Sequence, residues 1–106
     1  MADAIVSVPA SARPGEVVEI RALVRHPMET GFRHTQTGER IPRNIITQFE
    51  CSYLGAEVFR ATLHPSITAN PMLVFALRAT FSGRIEFRWS GDNGFSVTES
   101  ATISVA

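Results

Sequence analysis

Three histidines, His26, His34 and His64, and one cysteine, Cys51, are the side chains of this 106-residue chain best suited to hold iron or zinc. Their spacing supplies no local ligand pair: there is no Cys-x-x-Cys and no His-x-x-x-His, and the histidines stand eight and thirty residues apart. His26 and His64 each precede a proline, so they read as turn or surface histidines. Cys51 is the next candidate, as a nucleophile. It sits mid-strand on the same face as Phe49 and Tyr53, and an apolar setting raises a thiol's pKa rather than activating it, so it reads as a small core residue. Acyl transfer of the Ser/His/Asp kind has little to work with. The only aspartates are Asp3, near the terminus, and Asp92, inside the turn Gly91-Asp92-Asn93-Gly94, and there is no Gly-x-Ser-x-Gly elbow. No glycine loop suited to phosphate is present, and most glutamates alternate with arginine as a solvated strand face would. No catalytic residue, metal or cofactor is therefore expected.

The elements that carry these residues have period two, not 3.6, and six prolines break up any long helix. In Glu16 to Arg25, Val18, Ile20, Ala22 and Val24 share one face, while Glu19, Arg21 and Arg25 share the other. Residues 44 to 63 read as a hairpin: Asn44 to Tyr53, a turn at Gly55, then Glu57 to Leu63. A strand over Met72 to Thr80 follows the loop from His64 to Pro71. In the last hairpin Ile85, Phe87 and Trp89 alternate with Arg84, Glu86 and Arg88, and Phe95, Val97, Ala101, Ile103 and Val105 continue one face after the turn. Glu99 interrupts that face, which predicts a bulge or a sheet crossing near it. With a short strand at Ile5 to Val8, about seven strands fit, at the spacing of an all-β, antiparallel β-sandwich over residues 1 to 106. The antibody-type Cys, Trp, Cys arrangement is absent, so the architecture is immunoglobulin-like at most.

Two features point to binding. His26 to Arg43 is an eighteen-residue connection, longer than structureless loops usually run, and connections of that length are often functional. The run Met72 to Leu77 is apolar on both strand faces, consistent with either a central buried strand or one whose second face meets a partner. Composition narrows the partner. Ten basic groups balance ten acidic ones, and the one basic stretch, residues 21 to 43 with five arginines against Glu29 and Glu39, is too mild for a nucleic-acid footprint. All ten basic residues are arginine, which reads as a composition effect of the source genome. No apolar run approaches the length of a spanning helix, and the residues from Met1 to Pro9 have no signal-peptide pattern. A lone cysteine closes no internal disulfide.

Several multi-residue motifs stand in order along the chain: His26-Pro27-Met28-Glu29-Thr30-Gly31-Phe32-Arg33, Ile41-Pro42-Arg43-Asn44-Ile45-Ile46, Phe49-x-Cys51-x-Tyr53-x-Gly55, Val58-Phe59-Arg60 and Ile67-Thr68-Ala69-Asn70-Pro71. Together they resemble the SoxZ family, small subunits of the SoxYZ sulfur-carrier complex, over essentially the whole sequence. The resemblance implies an immunoglobulin-like sandwich without catalysis of its own. It also implies a heterodimer with a SoxY-type subunit, whose C-terminal Gly-Gly-Cys-Gly-Gly arm carries the sulfur intermediates of thiosulfate oxidation, and transient docking with the enzymes that load and unload that arm. It further implies a periplasmic location reached by co-export with a signal-bearing partner, where sequence alone would give the cytoplasm. Cys51 is then not the carrier thiol, though a bridge to a partner thiol stays open. Pro27, Met28, Phe32, Arg43, Asn44 and Ile45 are expected at the partner surface, because the most specific motifs fall in a loop and a strand start, where packing need not dictate sequence. The competing expectation is a small metal or redox protein on the same sandwich, using His26, His34, His64 and Cys51.

Overall fold

In a computed structural model, which describes residues 3–106, period-two alternation becomes eight strands. These are β1 (Ala4–Ser7), β2 (Ser11–Ala12), β3 (Val17–Val24), β4 (Ile46–Tyr53), β5 (Ala56–Thr62), β6 (Met72–Arg78), β7 (Gly83–Gly91) and β8 (Ser96–Val105). They form two sheets, one of three strands in the order β1-β3-β6 and one of five in the order β2-β8-β7-β4-β5. All pairings are antiparallel except the short β2–β8 contact, which is parallel. This is the all-β, immunoglobulin-like sandwich expected, with one strand more than the alternation suggests. The added strand, β2, is two residues long, below what a period can register.

Each sheet turns one face inward, because side chains at i and i+2 share a face. Val18, Ile20, Ala22 and Val24 of β3 and Phe75 and Leu77 of β6 meet Phe49, Cys51 and Tyr53 of β4 and Ile85, Phe87 and Trp89 of β7. Phe49 is the hub. Its ring lies 5.1 to 6.2 Å from those of Trp89, Phe75, Phe59 and Phe87, in tilted or edge-on arrangements that suit the aromatic quadrupole. Phe59 and Phe75 stack at 4.3 Å and 3°, which closes the side of the sandwich where β5 lies over β6. Tyr53 pins the connection from β6 to β7: its hydroxyl accepts the Thr80 and Phe81 N–H groups, each at 3.1 Å, and donates to the Phe81 carbonyl.

Glu99 produces neither a bulge nor a crossing. β8 pairs with β7 in unbroken register from Ser96 to Ile103, with Glu99 opposite Phe87 on the inward face. The carboxylate is tolerated there because the only other neighbour of β8, the two-residue β2, pairs with Ser104 and Val105, leaving the strand open at the sheet margin beside Glu99. The bulges fall elsewhere. One, beside Cys51 and Ser52, skips Val58 of β5 in the register; the other skips Thr47 of β4, whose hydroxyl donates to the Ser90 carbonyl of β7 at 3.4 Å. The turn after β7 is as expected, a single 3-10 turn over Asp92–Gly94 with Asn93 in the left-handed region. Gly91 is required by space: a Cβ there would sit 2.4 Å from the Ile45 carbonyl oxygen.

Candidate partner-binding surface

The connection from β3 to β4 is not structureless. It leaves β3 at His26 and returns at Asn44, with its two limbs held together by its own ladder. Glu29 and Asn44 exchange both backbone hydrogen bonds at 2.8 Å, the Ile41 N–H donates to the Arg33 carbonyl at 2.9 Å, and Thr35 and Gly38 close the tip at 3.0 Å. Side chains lace the limbs together. Arg33 donates to both Glu29 carboxylate oxygens, from Nε at 3.0 and 3.2 Å, and Arg40 donates to the Gly31 carbonyl. The Arg33 guanidinium holds the Glu29 carboxyl below its ordinary range. Gly31 is confined from the other limb, since a Cβ on it would lie 2.9 Å from Cβ of Arg43. Residues 32 to 40 are all exposed, so the connection is an ordered arm projecting from the sandwich. The molecule is accordingly long, 60 × 23 × 20 Å.

The base of the arm is organised around one buried polar side chain. His26 is 4% exposed, edge-on to the Phe95 ring at 4.7 Å, and its Nδ1 accepts the Met28 N–H at 3.0 Å. Burial lowers the pKa of His26, against the opposing effects of a hydrogen bond with Asn44 and the charge of Asp92. The His26 backbone is tied to the start of β6: its N–H donates to Asn70 Oδ1 at 2.9 Å, and its carbonyl accepts the Asn70 N–H at 2.8 Å. Met28 takes a left-handed conformation, uncommon for a non-glycine residue. Two hydrogen bonds hold it there, its own N–H on His26 and its sulfur accepting the Ile46 N–H at 3.2 Å. On the return limb Arg43 forms a two-point ion pair with Asp92, 2.9 Å at each contact, and Asp92 also accepts the Ile45 N–H at 3.1 Å. The Arg43 bonds, followed by the Ile45 N–H, lower the Asp92 pKa.

Of the six residues expected at a partner surface, the structure brings five to the base of this arm and sets Phe32 on the exposed limb. Pro27 and Phe32 are exposed, Phe32 at 69%; Arg43 is exposed on its outer side, and Asn44 is half-buried. Met28 and Ile45 require correction. They are 4% and 1% exposed, part of the core, and no partner reaches their side chains without opening the fold. The motif that contains them is constrained by packing, contrary to the expectation that a loop is free of it. The metal-site candidates are not brought together. His26 is in the core, His34 is exposed on the arm, His64 is exposed beyond β5, and Cys51 is fully buried in β4. Burial pushes the Cys51 thiol up to about 11. Among the described residues no group of three or more His, Cys, Asp or Glu side chains is placed to hold a metal.

A second surface combines residues that the sequence scattered. On the outer face of the three-stranded sheet, register puts Ile5, Leu23 and Met72 side by side in one row. Val74 and Ala76 follow Met72 along β6. Ile5, Met72 and Val74 are 60%, 56% and 50% exposed, so the apolar run of β6 is buried on one face only.

The fold is shared with solved structures. A superoxide reductase (neelaredoxin) from Ignicoccus hospitalis superposes with a TM-score of 0.76 over 97% of this chain and 80% of its own, at 16% identity. The sulfur carrier protein SoxY from Chlorobium limicola f thiosulfatophilum superposes with a TM-score of 0.69 over 100% of this chain and 81% of its own, at 12% identity. At such identities the likeness is one of fold. No curated protein matches the sequence. The family described as Sulphur oxidation protein SoxZ matches residues 6–102, nearly the whole length, and spans the arm, its base and every strand from β3 to β7. The chain belongs to the SoxZ family.

Proposed function

We propose that this chain is the non-catalytic subunit of a periplasmic sulfur-carrier heterodimer, binding and presenting a SoxY-type subunit during thiosulfate oxidation. The family match over residues 6–102 carries this reading. Two features of the molecule agree with it. Its single thiol is fully buried with a raised pKa, the opposite of what a carrier cysteine needs, so the sulfur-bearing group belongs to the partner. Its distinctive surface features, an ordered arm and an apolar sheet face, suit contact with another protein. The fold it shares with a sulfur carrier protein SoxY suits two subunits of common architecture. Of the residues expected at the partner surface, Pro27, Phe32 and Arg43 are exposed to a partner or to visiting enzymes, and export occurs together with the signal-bearing subunit.

Native mass spectrometry of the untagged chain, co-purified with a SoxY-type subunit and turned over with thiosulfate, tests the proposal. A one-to-one complex with sulfur-mass adducts on the partner alone is expected. A chain that stays unpaired, or that carries the adduct on Cys51, would refute it.

A further inference from the structure

The hydrogen bonds around His26 fix its state of charge. Nδ1 accepts the Met28 N–H at 3.0 Å, so the ring carries its single proton on Nε2 and is neutral. A second proton would sit on Nδ1 and point donor at donor, leaving the buried Met28 N–H without a partner. That bond matters to the backbone. Met28 stands at φ 51°, in the left-handed region, and is tied there by its own N–H and by its sulfur, which accepts the Ile46 N–H at 3.2 Å. His26 thus holds Met28, Met28 holds the first residue of β4, and the first link of that series titrates.

The arm is an element that can move on that link. Its limbs are joined to each other by Glu29 with Asn44, Arg33 with Ile41 and Thr35 with Gly38, so it keeps its shape without the sandwich. Its attachments gather at the base: the His26 backbone on Asn70, Met28 under Ile46, and Arg43 with the Ile45 N–H on Asp92. Freeing Met28 therefore undocks the outgoing limb and leaves the return limb as the pivot. The charged groups that face His26 are Asp92, from the turn before β8, and beyond it Arg43; Asn44, Asn70 and the Phe95 ring are uncharged neighbours. Burial, the largest effect, favours the neutral ring, against the Asn44 hydrogen bond and the Asp92 charge. The Arg43 guanidinium offsets that charge, with a contact to each Asp92 oxygen.

We infer that His26 is a proton-operated latch for the arm: the neutral ring docks Met28 and the outgoing limb onto the sandwich, and a proton on Nδ1 releases them while the two sheets stay paired. The latch is closed above the ordinary histidine range and opens as pH falls through it. Opening returns the imidazole to its ordinary pKa of 6.5, so at pH 5 protonation favours the open arm by at most about 30-fold.

Amide exchange followed by NMR at pH 8 and pH 5, normalised to intrinsic rates, tests this on wild type and on His26→Asn, whose Oδ1 stands in for Nδ1 and does not titrate. Met28 and Ile46 are read against Phe49 and Cys51 of β4, a strand paired on both sides. In wild type, Met28 and Ile46 are expected to be at least about tenfold less protected than Phe49 and Cys51, because the arm opens without the sheets. Between pH 8 and pH 5 they are expected to lose a further factor of about five to 30, a loss that disappears in His26→Asn. Equal protection of all four amides at both pH values would mean that the arm opens only with the whole fold, and overturns the latch. So does protection at Met28 and Ile46 that pH leaves unchanged, or a loss that persists in His26→Asn. Should His26→Asn not fold, the pair His34→Asn/His64→Asn, at two exposed positions, takes its place: the loss must then persist, and its disappearance overturns the latch.

Discussion

Cys51 offers the sharpest test of where the sulfur chemistry resides. The perturbation is exposure of the native protein to iodoacetamide at pH 8, compared with the same chain in denaturant. With the pKa pushed up from 9.0 to about 11 by burial, the thiolate fraction falls about 100-fold. The greater intrinsic nucleophilicity of a more basic thiolate returns roughly a factor of six to ten, which leaves about tenfold protection from ionisation alone. Occlusion adds far more. Cys51 is 0% exposed in β4, between Phe59 of β5 and Phe87 of β7, so a reagent reaches it only when two strand ladders open. If that opening approaches global unfolding at about 5 kcal/mol, alkylation runs through the open state, where the thiol regains its ordinary pKa, and the opening alone sets a protection of roughly 5,000. The native rate is therefore expected to be about 5,000 times below the denatured one. Alkylation followed by mass spectrometry measures both. A native rate within tenfold of the denatured rate would refute the buried-thiol argument and restore Cys51 as a candidate nucleophile.

Protonation of His26 is expected to destabilise the fold. Its folded pKa is depressed, so the unfolded chain binds more protons below 6.5, and stability present above that pH is lost as pH falls toward the folded value. Denaturant midpoints between pH 8 and 5 should decline in wild type, and a flat profile excludes His26 as the cause. Removing the Tyr53 hydroxyl with Tyr53→Phe leaves two N–H groups unpartnered and should cost about 2 kcal/mol. That lowers the Tm by roughly 8–16 °C, so a drop under 2 °C in calorimetry would disprove the pinning role. Gly91→Ala forces its Cβ against the Ile45 carbonyl and should destabilise by about 1–3 kcal/mol, read as a lower midpoint at unchanged m-value. Arg43→Ala releases the return limb from Asp92, so faster amide exchange at Ile45 and weaker docking are expected. Faster exchange with unchanged affinity would make Arg43 a positioning residue of the arm alone.

Period two made the strands legible because a half-buried sheet forces alternation, and β3 and β7 follow it, as does β4 from Phe49 onward, past the irregularity at Thr47. What alternation cannot carry is which sheet a strand joins. β6 pairs with β3 across some fifty intervening residues, and only that pairing shows that its second apolar face is bare. Ile5 and Leu23 went unnoticed as surface candidates for the same reason, since they join Met72 through register and not through spacing. Glu99 misled because a charge on an inward position reads as a register break, whereas at an open sheet margin a long side chain reaches solvent without one. Met28 and Ile45 misled in the opposite sense. A loop is usually free of packing demands, but this one is anchored by a methionine folded back into the core, and its left-handed backbone leaves no mark on the sequence.

The pairing of β3 with β6 also sets a clock. Its partners lie 49 to 61 residues apart along the chain, and folds dominated by such distant contacts form in milliseconds to seconds, not microseconds. Until β6 is in place the small sheet has no third strand, and once it is in place the sheet ends on an open edge. The chain spends that whole interval, and its folded life afterwards, with a seven-residue template facing solvent. The soluble yield of this protein is thus expected to depend on how that edge is kept from pairing as well as on thermodynamic stability.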